Sequence, residues 1–368
     1  MQAMRWDVVC RVVDNYGDAG VCWRLARQLV AEHRLDVTLW LDRLSTLAHL
    51  EPAVDPGRAV QAAAGVTVRR LDDAAPPTLP DVIVEGFGCG LPAPWLDAMA
   101  HAGKPPLWIN LEYLSAEPWV DSVHGLASVQ PRLPLTRYFW FPGFTAHTGG
   151  LAREAGLLAA RDAWQSRSRD AVPFLRVVLF CYPNRALTAL FDAWAEGDEP
   201  IGCTVPEGVA TAALDAWLRG DVPHVGQSVA RGRMRLDVVP FRTQDAFDRV
   251  LWDADVNFVR GEDSFVRAQW AARPFVWQPY PQAEDAHRLK LEAFLSRYVA
   301  ALPAGTSGAL ADFWRAFSDE DEAGVVGTWP AFRAILPSLE AHGRRWAREL
   351  AALPELAAGL VEFARARL

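Results

Sequence analysis

Lysine is nearly absent. Of 37 basic residues only Lys104 and Lys290 are lysines, which leaves catalysis by a side-chain amine almost without candidates. Paired cysteines are missing too. Cys10, Cys22, Cys89, Cys181 and Cys203 are odd in number, form no CxxC and have mostly apolar neighbours, so reduced, buried thiols are expected. No His/Cys cluster has metal-ligand spacing, and the expected metal content is none. No stretch approaches the ~18 uninterrupted apolar residues of a membrane span. The start, MQAMRWDVVC, has no charged segment leading into a hydrophobic run, and a cytoplasmic location is expected. Positive charge is also in deficit: 37 Lys+Arg against 45 Asp+Glu give a net charge of -8, which disfavours nucleic acid and anionic membranes as partners.

What is present is apolar material for packed cores. Hydrophobic residues make up 51% of the 368 and charged residues 22%, a globular profile long enough for two domains at roughly 100 to 200 residues each. The 16 tryptophans are spread along the chain, as core packing requires. Short apolar runs alternate with helical periodicity. Trp6 to Val13 reads as a buried strand, Ala19 to Glu32 as a helix and Val37 to Leu41 as a strand; Val66 to Leu71, Asp81 to Glu85 and Leu107 to Leu111 follow. Periodicity weakens between Ala146 and Pro173, then restarts with strands at Phe174 to Phe180, Ile201 to Val205, Leu236 to Val239 and Val256 to Val259. This is βα alternation, an α/β fold with two Rossmann-like doubly wound domains in tandem. The expected boundaries are 1–165, 172–335 and a helical segment 336–368 packing back across the seam.

Doubly wound sheets bind ligands beyond the carboxyl ends of their strands, so chemistry is sought in the loops after strands. In DNYGDAG (14–20), Asp18 can cap a helix starting at Ala19, while Asp14, at the end of a buried strand, sits where a general base would. GFGCG (86–90) follows DVIVE but lacks the full GxGxxG fingerprint; it indicates close backbone approach and no more. The loop 110–131 groups Glu112, Tyr113, Glu117, Asp121 and His124. In RGEDSFVRAQWA, Glu262, Asp263 and Ser264 open a helix beside Arg260, an arrangement suited to a phosphate or diphosphate. Phe180 and Tyr182 in FCYPN, with Phe241 and Gln244 after another strand, offer surfaces for a stacked base. The Asp253 and Asp255 pair mimics a metal-binding DxD but precedes its strand, on the wrong side of the sheet.

Taken together, VVDNYGDAGVCWRLARQL, NLEYLSAEPWVDSVHGL, FCYPN and VRGEDSFVRAQWA resemble the EarP family, the bacterial protein-arginine rhamnosyltransferases that modify elongation factor P. The four motifs occur in order and the resemblance runs the length of the chain; Trp270 is the departure within them. It implies a GT-B architecture and metal-independent, inverting transfer of rhamnose from TDP-β-L-rhamnose to an arginine of elongation factor P. By resemblance, Asp14, supported by Asp18, acts on the acceptor, and Glu262 is the second carboxylate of transfer. Arg260, Asp263 and Ser264 hold sugar and diphosphate; Phe180, Tyr182, Phe241 and Gln244 form the nucleotide pocket; Asn15, Tyr16, Glu112, Glu117 and Asp121 guide the acceptor. No cofactor is implied beyond the donor substrate. Two other functions share this outline: a GT-B transferase with a small-molecule acceptor, and a non-catalytic protein that closes on a nucleotide.

Overall fold

The computed structural model describes residues 4–72, 74–167, 173–282 and 285–368. The chain divides into two units, Met1–Ala155 with Ala351–Leu368, and Gly156–Leu350.

The first unit runs β1 (Arg5–Cys10), α1 (Asn15–His33), β2 (Asp36–Leu41), α2 (Leu44–Leu50), β3 (Val60–Ala63), β4 (Val66–Arg70), β5 (Val82–Gly86), α3 (Ala93–Ala100), β6 (Leu107–Leu111), α4 (Val120–Val123), β7 (Ala127–Val129) and β8 (Thr136–Trp140). Its sheet has the order β3-β4-β2-β1-β5-β6-β8-β7, parallel from β4 to β8 with one antiparallel strand at each edge. The central strands are buried on both faces because helices cover both: β5 and β6 are buried at every position, with Glu85 and Asn110 as their polar residues. The order turns at β1, whose neighbours are β2 and β5, and the loops at the carboxyl ends of these strands carry the DNYGDAG and GFGCG motifs.

The second unit runs α5 (Leu157–Arg167), β9 (Leu175–Leu179), α6 (Leu187–Glu196), β10 (Ile201–Pro206), α7 (Thr211–Leu218), β11 (Ser228–Arg231), β12 (Met234–Val239), α8 (Gln244–Asp253), β13 (Val256–Arg260), α9 (Asp263–Ala271), β14 (Phe275–Gln278), α10 (Ala286–Tyr298), α11 (Ala304–Ser318), α12 (Glu322–Ala334) and α13 (Leu336–Ala351). Its sheet order is β11-β12-β10-β9-β13-β14, parallel except for β11. Helix α9 is buried from Ser264 to Ala271, and the Arg267 guanidinium inside it is neutralised by Asp248 of α8 at 2.5–2.9 Å.

Two boundaries differ from the sequence reading. Helix α5 joins the second unit, so the division falls after Ala155: Arg161 donates to the Trp270 carbonyl (2.8 Å), Trp164 to Asp253 (2.7 Å) and Gln165 to the carbonyls of Trp252 and Ala271. The segment 336–368 is interrupted between α13 and α14 (Leu356–Arg365), where Pro354 cannot supply a helical N–H. Glu355 restarts the helix by accepting from Ala357 and Ala358. Helix α14 belongs to the first unit. It lies on β8 through Phe363, whose ring meets Trp140 at 5.1 Å and Tyr138 at 5.4 Å. A Cβ on Gly150 would collide with the Pro354 carbonyl, so the chain passes there only because residue 150 is glycine, at φ +72°.

The cysteines are free, with Cys10, Cys22, Cys181 and Cys203 buried. Trp6, Trp23, Trp95, Trp194, Trp270 and Trp314 are core residues, and Trp119 stands out at 48% exposed. Among the described residues no helix is long and apolar enough to cross a membrane.

One carboxyl in the core is out of keeping with its surroundings. Asp7 of β1 is only 7% exposed, and burial pushes its pKa from 3.8 to about 7. The folded state therefore holds a proton that the unfolded chain has released, and stability present below pH 3.8 is lost as pH rises through 7. Asp7→Asn should unfold in denaturant like the wild type at pH 4 and exceed it by about 2–4 kcal/mol at pH 8. Equal stabilities at pH 8 would show that Asp7 ionises in the fold at no cost.

Candidate active site

Helix α1 starts at Asn15, one turn earlier than the sequence reading, and this changes what Asp18 does. Asp18 lies inside the first turn, 2% exposed, and its Oδ2 accepts the backbone N–H of Val13 and of Asp14, each at 2.8 Å. The Tyr113 hydroxyl also donates to it. Burial raises the Asp18 pKa, and these donors oppose the rise. Asp18 is thus the internal tie of the turn and not the cap of a later helix. The turn is fixed from β2 as well: Asp42 accepts the Val12 N–H at 2.9 Å, and Arg43 donates to the Val12 carbonyl.

Asp14 occupies the N-cap position without using its side chain as a cap, and it is half-exposed. Its carboxylate lies over Gly17, where any Cβ would collide with it. Glycine in the first helical turn is therefore what lets this carboxylate sit at the helix end. Asn15 opens the helix, but its side chain lies outside the described residues. Tyr16 is half-exposed and packs edge-on to His49 at 5.7 Å.

The GFGCG turn is strained and clamped. Phe87, Gly88 and Gly90 all have positive φ, and for Phe87 (φ 58°) that costs on the order of 1–3 kcal/mol. Four successive N–H groups of the turn are claimed: Phe87 donates to the Leu111 carbonyl (2.6 Å), Gly88 to Asn110 Oδ1 (2.9 Å), Cys89 to the Gly86 carbonyl (3.2 Å) and Gly90 to Glu85 Oε1 (2.7 Å). Glu85 is fully buried, and its other oxygen accepts Trp108 Nε1 at 2.9 Å. Beside this turn the Phe87 ring stacks on Tyr113, with centroids 4.5 Å apart and planes 19° from parallel.

The loop carboxylates divide. Glu112 accepts Asn110 Nδ2 at 2.5 Å, linking it to the same turn. Glu117 accepts the Ser115 hydroxyl within its own loop, and Asp121 accepts the Thr145 hydroxyl of the segment after β8, each at 3.0 Å. His124 accepts the Phe141 N–H at 3.1 Å, and burial lowers its pKa.

In the second unit, the β13–α9 turn passes through Gly261 at φ 57°. Glu262 is the N-cap residue of α9 and is half-exposed, and its side chain makes no cap hydrogen bond; the N-terminus of a helix carries the positive end of its dipole, which attracts an anion. The Ser264 hydroxyl donates to the Arg260 carbonyl (2.6 Å) and accepts the Arg260 N–H (3.1 Å), shaping the turn. Asp263 accepts Gln244 Nε2 at 3.1 Å. The Arg260 guanidinium lies over Phe180 at 4.6 Å and Tyr182 at 4.8 Å and donates to the Cys181 carbonyl at 3.1 Å. Phe241 meets Phe180 at 6.4 Å. Phe180, Tyr182, Phe241, Gln244, Arg260, Asp263 and Ser264 thus form one connected cluster. It brings a cation and a helix N-terminus together over buried aromatic rings, an arrangement whose polarity suits an anionic group.

Sequence reasoning missed three neighbours: Phe247 against Phe180 (5.0 Å), Tyr280 against Tyr182 (5.4 Å) and Gln278, whose Oε1 accepts the Tyr182 N–H at 2.9 Å. Gln278 ends β14, so reading FVWQ as a strand would have found it. Asp255, in the discounted DxD, pairs with Arg176 at 3.1 Å before β13 begins. Among the described residues no group of three or more His, Cys, Asp or Glu could hold a metal ion.

The profile of the family described as "Elongation-Factor P (EF-P) rhamnosyltransferase EarP" matches residues 6–365. The chain is 47% identical to the protein-arginine rhamnosyltransferase of Pseudomonas putida, over 98% of each chain. It is 44% identical to that of Pseudomonas aeruginosa, covering 97% of this chain and 98% of the relative. A solved structure described as "Structural basis for EarP-mediated arginine glycosylation of translation elongation factor EF-P" superposes with TM-score 0.70 at 37% identity, over 99% of both chains. The fold is also that of Acinetobacter baumannii MurG, at TM-score 0.52 and 13% identity. The architecture is GT-B.

Gly17→Ala tests the packing of the first turn. In an open helix the exchange would stabilise by roughly 0.5–1 kcal/mol. Here the methyl must displace the Asp14 carboxylate, and the thermal midpoint should not rise. A higher midpoint would show that Asp14 turns aside freely.

Proposed function

The chain belongs to the EarP family of elongation-factor P rhamnosyltransferases, and from this we propose that it transfers rhamnose from TDP-β-L-rhamnose to an arginine side chain of elongation factor P, with inversion at the anomeric carbon. The observation that carries the reading is the match over residues 6–365, which spans both acidic turns.

The acceptor is the difficult partner. A guanidinium has a pKa above ~12 and is planar and delocalised, so it is a poor nucleophile until a carboxylate orients it and takes a proton. Asp14, half-exposed and held at the end of α1, is assigned that role, and Asp18 positions it through the turn. Glu112 lies next on the acceptor side. As the nitrogen bonds to the anomeric carbon, the bond from that carbon to the diphosphate oxygen breaks. TDP leaves with the electron pair, and the nitrogen's proton passes to the carboxylate. The leaving group needs stabilisation of developing charge more than protonation, which Arg260 and the N-terminus of α9 are suited to supply. Glu262 is assigned to the transition state as the second carboxylate, and the rings of Phe180, Tyr182 and Phe241 to the nucleotide base.

Incubation of elongation factor P with the protein and TDP-rhamnose should raise its intact mass by one deoxyhexose unit; an unchanged mass with active donor present would refute the reading. Asp14→Asn should keep donor affinity and lower single-turnover rates by ~100-fold or more. Glu262→Gln should likewise lose mainly turnover, whereas Arg260→Ala should lose donor affinity in calorimetry as well. If Asp14→Asn turned over at the parent rate, Asp14 would not be the acceptor-side carboxylate.

A further inference from the structure

The Phe87 ring has no role in the assignments above, yet its backbone is held in a conformation that bulky residues avoid. Four hydrogen bonds and a buried carboxylate maintain it there. Gly86 fixes where the chain turns, because a Cβ there would meet Cys22 Sγ at 2.9 Å and the Val9 carbonyl at 3.3 Å. The strained conformation directs a half-exposed aromatic ring onto Tyr113. Tyr113 reaches in turn to Asp18, the residue that holds the Asp14 backbone. Among the described residues Tyr113 is the only aromatic or cationic partner of the Phe87 ring. Elsewhere in this chain arginine guanidinium groups lie on rings repeatedly: Arg69 on Trp40 at 4.8 Å, Arg137 on Trp108 at 5.3 Å and Arg260 on Phe180 at 4.6 Å.

We infer that the stacked Phe87 and Tyr113 rings are the surface on which the acceptor's guanidinium lies while Asp14 engages its nitrogens. The inference rests on the arginine-transfer reading and adds the acceptor-binding residues. A ring face presents negative potential to a planar cation and fixes its plane without competing for its N–H groups, which stay available to carboxylates. Carboxylates alone would draw in a lysine ammonium as readily; a flat aromatic face favours the flat cation. Phe87 and Tyr113 thereby become specificity determinants for arginine.

The test is a split between acceptor and donor. Phe87→Leu should raise KM for elongation factor P about tenfold and weaken its calorimetric binding in parallel, with the KM for TDP-rhamnose and the thermal midpoint unchanged. Phe87→Tyr should restore acceptor binding. Phe87→Gly relieves the left-handed backbone and removes the ring, so it should show the same acceptor defect without loss of stability. The inference is overturned if both Leu and Gly variants bind acceptor as the wild type does, or if donor affinity falls in step. Wild-type protein that binds elongation factor P through Phe87 but leaves its mass unchanged would refute the transfer reading alone.

Discussion

A buried carboxylate with three donors is the fixed point of the first unit's site. Asp18 could have been a surface cap; instead it is enclosed, and both N–H groups leading into α1 converge on one of its oxygens. Burial opposes its ionisation, and the converging donors offset that opposition. Because the tie is made to the backbone of Asp14, that residue is positioned through its main chain while its side chain stays half-exposed. Rigidity and exposure are thus divided between residues four positions apart. A single aspartate would have to be both buried enough to be held and exposed enough to meet a substrate.

The second unit solves the corresponding problem with aromatic packing. Arg260 is a long, flexible cation that gains its place by lying on Phe180 and Tyr182, and Ser264 uses its hydroxyl to shape the turn from which Arg260 projects. Beneath it, α9 is buried along its length, with its one internal charge cancelled by Asp248. A helix so enclosed cannot shift without opening the core, so its N-terminus is a stable point of positive potential. The aromatic residues support the arginine, and Phe180 and Tyr182 are themselves buried beneath it.

The parts of this molecule legible in its sequence are those governed by burial on both faces. VIVEG and LWINL read as strands because helices cover both sides of them, and the loops singled out in the sequence do follow β1, β5 and β13, at the strand ends beyond which doubly wound sheets bind ligands. The antiparallel edge strands VQAA, ASV and SVAR were not legible. They are short and mostly exposed, and their pairing comes from a neighbour and not from their own pattern. The start of α1 was misread for a related reason: NYGD has the composition of a turn, and only the contact between Asp14 and Gly17 explains why glycine sits inside a helix. Nothing local announces that Phe87 will adopt a left-handed backbone. That conformation is imposed by Glu85, Asn110 and Leu111, residues brought together by the sheet.

The return of α14 to the first unit bears on how the chain is made. A ribosome delivers β1 to β8 first, then the whole of the second unit, and only afterwards the helix whose Phe363 covers Tyr138 and Trp140. Through most of synthesis the nascent first unit therefore carries an uncovered aromatic strip on β8. Chain order thus makes the first unit, although begun earliest, the last to be finished, and the arrival of α14 is the event that completes it.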